Sequence, residues 1–312
     1  MSRPLAAPVS FLPRNVHFWN GQTGDYLGGV WQEGSITNHD FFMMLNIILI
    51  VEVPPTALFK PAGQIIQQDG QPLSPGNYVI NVTSGSITLN DEPVFRRILS
   101  HNITGREDSF TEDIRSRDKK CVLSGLPCRN WHVGIWHGFE AAHIFPIGKE
   151  TLWNHGGYNR WITNTATGRH RSSINSIQNG FLMDIHLHTS FDQFHVSANP
   201  DNGYKITEFI PSSRPVDGKI LDPVCRDPTN PNSVSVHLLR WHFRQSVLTT
   251  MRGAGEPSWD EDFPPGRDMM GVIRSGPLPA ERMEVELFSR LGSLEFQQAQ
   301  DEERPELRGS DA

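Results

Sequence analysis

The sequence predicts an α+β protein. A β-rich N-terminal module covers residues 1–105, a mixed unit with C-terminal helices covers 106–275, and a short helix and tail cover 276–312. Two patterns carry this reading. Alternation of apolar and polar residues, broken by Asn-Gly, Gly-Gly, Pro-Gly and Ser-Gly turns, fills residues 14–98. Helical periodicity instead marks the second half, most clearly over 232–257. The 27 glycines and 23 prolines among 312 residues agree with many short elements joined by turns.

In chain order, "RNVHFWNGQTGDYLGGVWQEGSI" and "SPGNYVINVTSGSITLNDEPVF" read as strands, with one helix between them over 37–51 and Thr37 or Asn38 near its N-cap. "REDSFTEDIRSRDKK" at 106–120 reads as a charged linker passing into a helix. The second unit then predicts a strand at Cys121–Leu123, a strand at Glu140–Phe145, a long Gly/Asn/Trp-rich insert, and a loop at Gln178–Gly180. A helix from about Met183 to Phe194 follows, and "VSANPDNGYKI" predicts a hairpin turning at Asp-Asn-Gly. Trp131, Trp136, Trp153 and Trp161 are expected to pack the insert. Within 232–257, Val236, Leu239, Phe243, Val247 and Met251 form one stripe and Gly253 supplies a stop; Arg240, Arg244 and Arg252 are expected on a solvated face. A short helix near 279–291 and a disordered acidic tail complete the expectation.

Composition excludes several classes. Cys121, Cys128 and Cys225 are odd in number and lack C-x-x-C spacing, which argues against a disulfide framework or an all-cysteine zinc site. The most apolar run, residues 41–53, includes Asn46 and Glu52 and is too short to span a bilayer. The first residues lack the apolar core of a signal peptide. An intracellular protein, in cytoplasm or nucleus, with no membrane partner is therefore expected, and the "NVT" and "NIT" triplets are read as chance matches. Nothing in the sequence fixes the oligomeric state. The net charge of −7 hides an asymmetry: residues 1–114 carry 6 basic and 11 acidic side chains, 115–175 carry 9 and 3, and 280–312 carry 4 and 9. A phosphate backbone responds to such a local basic surface rather than to the total, so nucleic acid is a candidate partner and a solvated basic face is the alternative.

Most of the thirteen histidines read as surface or hydrogen-bonded residues. One set differs. His143 ends an apolar strand that Pro146 closes, which is expected to turn the imidazole toward a loop. Asn179 precedes Gly180 in a tight turn, where its amide can hold the backbone near His143. His188 and Asp192 are four apart on a predicted helix, on one face and within reach of one metal ion. A histidine and a carboxylate suit Mg²⁺, Mn²⁺, Zn²⁺ or Ni²⁺, and spacing does not choose among them. His186 is out of phase with His188 and remains a spare candidate.

"CVLSG", "EAAHIFP" and "NGFLMDIHLHTSFD", in that order, resemble the His-Asn-His (HNH) endonucleases of the ββα-metal fold. The similarity is closest to a subgroup written C-x-[LIV]-[ST]-G, A-H-I-x-P, N-G-[LF]-x-[LM], H-x-x-F-D. The surrounding segments resemble fungal proteins that carry this domain after a β-rich module. The resemblance implies a metal-dependent endonuclease acting on nucleic acid, DNA favoured, with one divalent ion. It implies His143 as general base, Asn179 as the residue fixing the loop that orients it, and His188 as a catalytic metal ligand, with Asp192 as the second ligand. Many members place a ligand immediately before the base, where this chain has Ala142; Glu140, two residues earlier on the same strand face, or a water is the expected replacement. The competing readings are a nucleic-acid-binding or regulatory scaffold without turnover, and a structural metal site.

Overall fold

A computed structural model of the chain describes residues 12–60, 62–94, 108–164 and 173–253, with 255, 271 and 274 as isolated positions. The expected helix at 279–291 and the acidic tail lie outside the described residues.

The N-terminal module is β-rich, as its alternation predicts. β1 (Val16–Asn20), β2 (Tyr26–Val30), β4 (Thr56–Phe59), β5 (Gln64–Ile65) and β6 (Gly76–Asn81) form one sheet in the order β2-β1-β6-β4-β5. β1 and β6 run parallel and the other pairs antiparallel. Between β2 and β4 lies α1 (Asn38–Ile48), opened by a capping box in which Thr37 and Asp40 satisfy each other's backbone N–H. The helix stops three residues before the expected end. Leu49, its C-cap, is already extended, and Leu49–Ile50 forms β3, paired with β7 (Thr88–Leu89). Phe18, Phe41 and Tyr78 meet between sheet and helix, with ring centroids 5.4–5.6 Å apart.

The second half mixes short strands and helices: α2 (Asp108–Asp118), β8 (Phe139–His143), α3 (Glu150–His155), β9 (Gly180–Asp184), α4 (Ile185–Asp192), β10 (Val196–Asn199), β11 (Lys205–Glu208) and α5 (Val236–Met251). β8 pairs with β9 and β10 with β11, both antiparallel. Two expectations are corrected. Cys121–Leu123 is a turn rather than a strand, closed by Gly125 N–H donating to Cys121 O at 2.8 Å; the glycine four residues on, at φ 79°, outweighs the short apolar run. Met183 lies in a strand, and the helix starts at Ile185, because Asp184 is its N-cap and accepts from Leu187 N at 3.3 Å.

α5 is common to two cores. Leu238, Leu239 and Trp241 pack with Phe145, Phe181 and Phe194 of the second unit, whereas Phe243, Val247, Leu248 and Met251 pack with Phe18, Phe41 and Leu45 of the N-terminal module. The arginines expected on a solvated face make specific bonds: Arg240 pairs with Asp201, Arg244 with Glu92, and Arg252 donates to the carbonyls of Asn90 and Glu92.

His195, between α4 and β10, is buried, and burial pushes its protonation down to about 4. Its ordinary value is about 6.5, so the unfolded chain takes up a proton that the fold refuses. The linked stability is therefore complete above about pH 6.5 and is lost as pH falls toward 4, a span worth on the order of 3 kcal/mol. Urea unfolding at pH 7 and pH 4.5 is expected to show a smaller acid loss in His195→Met than in the wild type. Equal losses would remove His195 as the cause.

Candidate active site

The β8–β9 hairpin and α4 form the frame. β8 reads FEAAH, and its alternation separates two faces. Ala141 packs on the side of Phe110 and Ile114 from α2, while Ala142 packs on the side of Leu187 and Phe191 from α4. The register sets His143 opposite Gly180 and Glu140 opposite Met183. Glycine is required at 180 for closeness: a Cβ there would lie 2.6 Å from Ala142 O and 2.5 Å from the Phe110 ring.

His143 departs from its expected setting. The imidazole does not face an open loop. It is 4% exposed and stacked on Phe110, with centroids 3.9 Å apart and planes within 7°. Its Nε2 lies 3.0 Å from Asn175 Oδ1. An amide oxygen only accepts, so this contact suits the tautomer that carries its proton on Nε2.

Asn179, fully buried in a single 3₁₀ turn (Ile177–Asn179), works on the residues just after His143. Its Oδ1 accepts from Phe145 N at 2.8 Å, and its Nδ2 donates to Phe145 O at 3.2 Å and Ile174 O at 2.8 Å. Its own carbonyl accepts from Ile144 N at 2.8 Å. The segment leaving β8 is thus fixed by backbone bonds to one amide.

α4 is eight residues long and buries Leu187, His188, Phe191 and Asp192. The i,i+4 spacing brings His188 Nε2 to 3.3 Å from Asp192 Oδ2. On the other side of the ring, His188 Nδ1 lies 2.6 Å from Glu140 Oε2, reached across from β8. Burial works against charge on His188. The hydrogen bonds to Asp192 and Glu140, with their negative charges, outweigh it, so its protonation is pushed up. His186 is exposed and stands apart from this chain of contacts.

The three acidic and imidazole groups therefore form a line, Glu140–His188–Asp192, rather than a ring around a common centre. Consistently, among the described residues no group of three or more His, Cys, Asp and Glu side chains is spaced to hold a metal ion.

Segment 121–199, which contains the hairpin, the asparagine turn and α4, matches the HNH endonuclease family model. The chain carries an HNH endonuclease domain. Residues 13–88, the N-terminal sheet module, match a domain of unknown function, DUF8573. No curated protein and no solved structure matches the chain. Among the described residues no helix is long and apolar enough to cross a membrane.

Several residues that position the HNH domain's site carry no sequence motif. Arg117, read as part of a charged linker, is 5% exposed at its side chain. It donates to Ile177 O, Asn232 O and Gly180 O and pairs with Asp118, whose second oxygen accepts from Leu182 N at 2.7 Å. Gln178 accepts from Thr163 N and Asn164 N and donates to Pro231 O, closing the insert that separates the two strands of the HNH hairpin. The tryptophans divide. Trp153 is fully buried and Trp161 packs on Tyr158, as expected of insert packing, but Trp131 is 42% exposed.

Proposed function

We propose that the protein is a metal-dependent nuclease that hydrolyses phosphodiester bonds in nucleic acid, DNA favoured. The observation that carries it is the HNH domain itself, with His143 on its hairpin, Asn179 in the turn just before β9 and His188 on α4.

The donor set suits a divalent ion. His188 Nε2 and Asp192 Oδ2 are 3.3 Å apart. Two ligands bonded to one ion at ~2.0–2.2 Å stand about 3.0–3.4 Å from each other. We assign these two atoms as the protein ligands, with Ala142 contributing none. Glu140 sits on the opposite ring nitrogen, and the two imidazole nitrogens point apart. Its role in this reading is to accept the Nδ1 proton and leave Nε2 as the donor, as carboxylates commonly do for metal-bound histidines. A divalent ion held there supplies Lewis acidity to the scissile phosphate and to the departing oxygen. His188 would hold the ion as the neutral imidazole, with its Nε2 free of a proton.

His143 is the general base. Its Nδ1 takes a proton from water as the water oxygen bonds to phosphorus. The P–O3′ bond breaks, and the released oxygen takes a proton from solvent. Asn175 holds the opposite nitrogen and so fixes the tautomer that the step needs. Asn179 keeps Ile144 and Phe145 from drifting and thereby fixes where β8 ends.

A second reading, a nucleic-acid-binding scaffold without turnover, is favoured by two observations: Ala142 at the ligand position and the burial of His143 under Phe110. Nicking of supercoiled plasmid by the full chain separates the two. The nuclease reading expects nicking with Mg²⁺, Mn²⁺ or Ni²⁺ that EDTA abolishes. Binding without cleavage under every metal supports the scaffold.

The assignment of Glu140 has its own test. Glu140→Gln keeps the size but weakens the acceptor, and is expected to lower Mn²⁺ affinity by roughly ten- to a hundredfold in calorimetry of the full chain. Unchanged affinity would remove Glu140 from this role.

A further inference from the structure

The loop between Lys119 and β8 has no part in the site described above, yet its construction is unusual. Its backbone is bonded to itself: Cys121 N donates to Leu126 O, Cys128 N to Lys119 O, Ile135 N to Asn130 O, and Gly134 N to Trp131 O, at 2.9–3.1 Å. The buried Cys128 anchors the centre, its thiol 3.4 Å from Ile135 O. This ordered loop presents Trp131, Val133 and Ile135 at 42%, 61% and 51% exposure. Three exposed apolar side chains within five residues are a candidate surface for a partner.

Charge identifies the partner. From Lys119 to Phe139 there is no acidic residue. Lys119, Arg129, His132 and His137 are exposed between the apolar groups. Lys119 Nζ lies over the Trp131 ring at 4.4 Å from its centroid, so the loop's exposed indole and a cation form one unit. Lys120 is already engaged by Asp222 at 2.8 Å and is not counted. Aromatic rings interleaved with cations are the arrangement that holds an unpaired nucleic-acid strand: a base stacks on the ring and the cations follow the phosphates. The loop also borders the proposed reaction centre. Gly138 O accepts from Ile185 N at 3.1 Å, which ties the loop's end to the first residue of α4, and Ile185 and His186 extend the exposed face onto that helix.

The geometry points to the Lys119–Gly138 loop as a stacking platform for single-stranded nucleic acid, delivering the strand to the HNH site. This rests on the nuclease reading only for what happens after binding. The platform itself is a binding surface and stands or falls on affinity.

The test is fluorescence anisotropy of the full chain in EDTA, so that binding is read without cleavage. The probes are a labelled single-stranded DNA, an RNA of the same sequence, and the DNA duplex. Trp131→Ala is expected to weaken single-strand binding about tenfold, the loss of one stacked base, and Trp131→Phe to recover most of it. Lys119→Ala combined with Arg129→Ala is expected to lower the salt dependence of log affinity by about one to two. Equal losses on the DNA and RNA strands support a platform that reads the π-face and backbone; a loss confined to one of them supports the platform and names its substrate. The proposal is overturned if the wild type binds no single strand, if both sets of variants bind like the wild type with thermal melts unchanged, or if Trp131→Ala weakens duplex binding as much as single-strand binding. A protein that binds through Trp131 and never cleaves overturns the nuclease reading and leaves the platform intact.

Discussion

His143→Gln is expected to slow plasmid nicking by between about a hundredfold and ten-thousandfold, the usual contribution of a positioned general base. Glutamine can still meet Asn175 and fill the space beside Phe110, but it cannot take a proton from water. The proposed ion-binding atoms lie on α4, and His143 packs toward α2, so calorimetry should find Mn²⁺ affinity unchanged in this variant. Nucleic-acid affinity in EDTA should also be unchanged. Loss of nicking with both affinities preserved is the signature of a base. Nicking that persists within severalfold of the wild type would remove His143 from the chemistry and leave the role of base to another group.

The largest structural effect is expected at Arg117. Arg117→Met is expected to destabilise the protein by roughly 3–5 kcal/mol, read as a shift in urea midpoint at constant slope. Methionine fills much of the same volume, so the loss is not one of packing. It strands the carbonyls of Ile177, Asn232 and Gly180, and it leaves Asp118 buried without its counter-charge. Burial already pushes the Asp118 carboxyl up, and Arg117 is what opposes this most strongly. Asp118→Asn combined with Arg117→Met should recover part of the stability, because the second change removes the unpaired charge. No recovery would mean that the carbonyl contacts, rather than the ion pair, carry the effect.

How far the sequence speaks for itself depends on the range of the interaction concerned. The β-rich start is legible because alternation with Gly-containing turns is a local pattern, and α5 because sixteen residues give a clear period. His143, Asn179 and His188 are singled out by an order and spacing that are local too, and all three fall inside the segment that matches the HNH endonuclease model. Element boundaries are less legible where two periods compete: "MDIHL" suits a helix by composition, and only Asp184 as a cap marks where strand becomes helix. The burial of His143 was hidden because the ring that covers it, Phe110, lies thirty-three positions upstream in what reads as a charged linker. Arg117 and Asp118 were hidden for the same reason, since adjacent opposite charges ordinarily read as solvated. Glu140 could be placed on the right strand face, but its contact with Nδ1 of His188 depends on how α4 crosses the hairpin, which no spacing expresses.

The double allegiance of α5 has a consequence for how this chain can change over time. Its first turns complete one core and its last turns complete another, so the two matched segments are not cassettes that recombination could trade freely. A different module placed ahead of the HNH domain would have to bring its own complement to Phe243, Val247, Leu248 and Met251, or leave half a helix bare to water. A change of size at one end of this single helix is thereby transmitted along a rigid rod toward the other core.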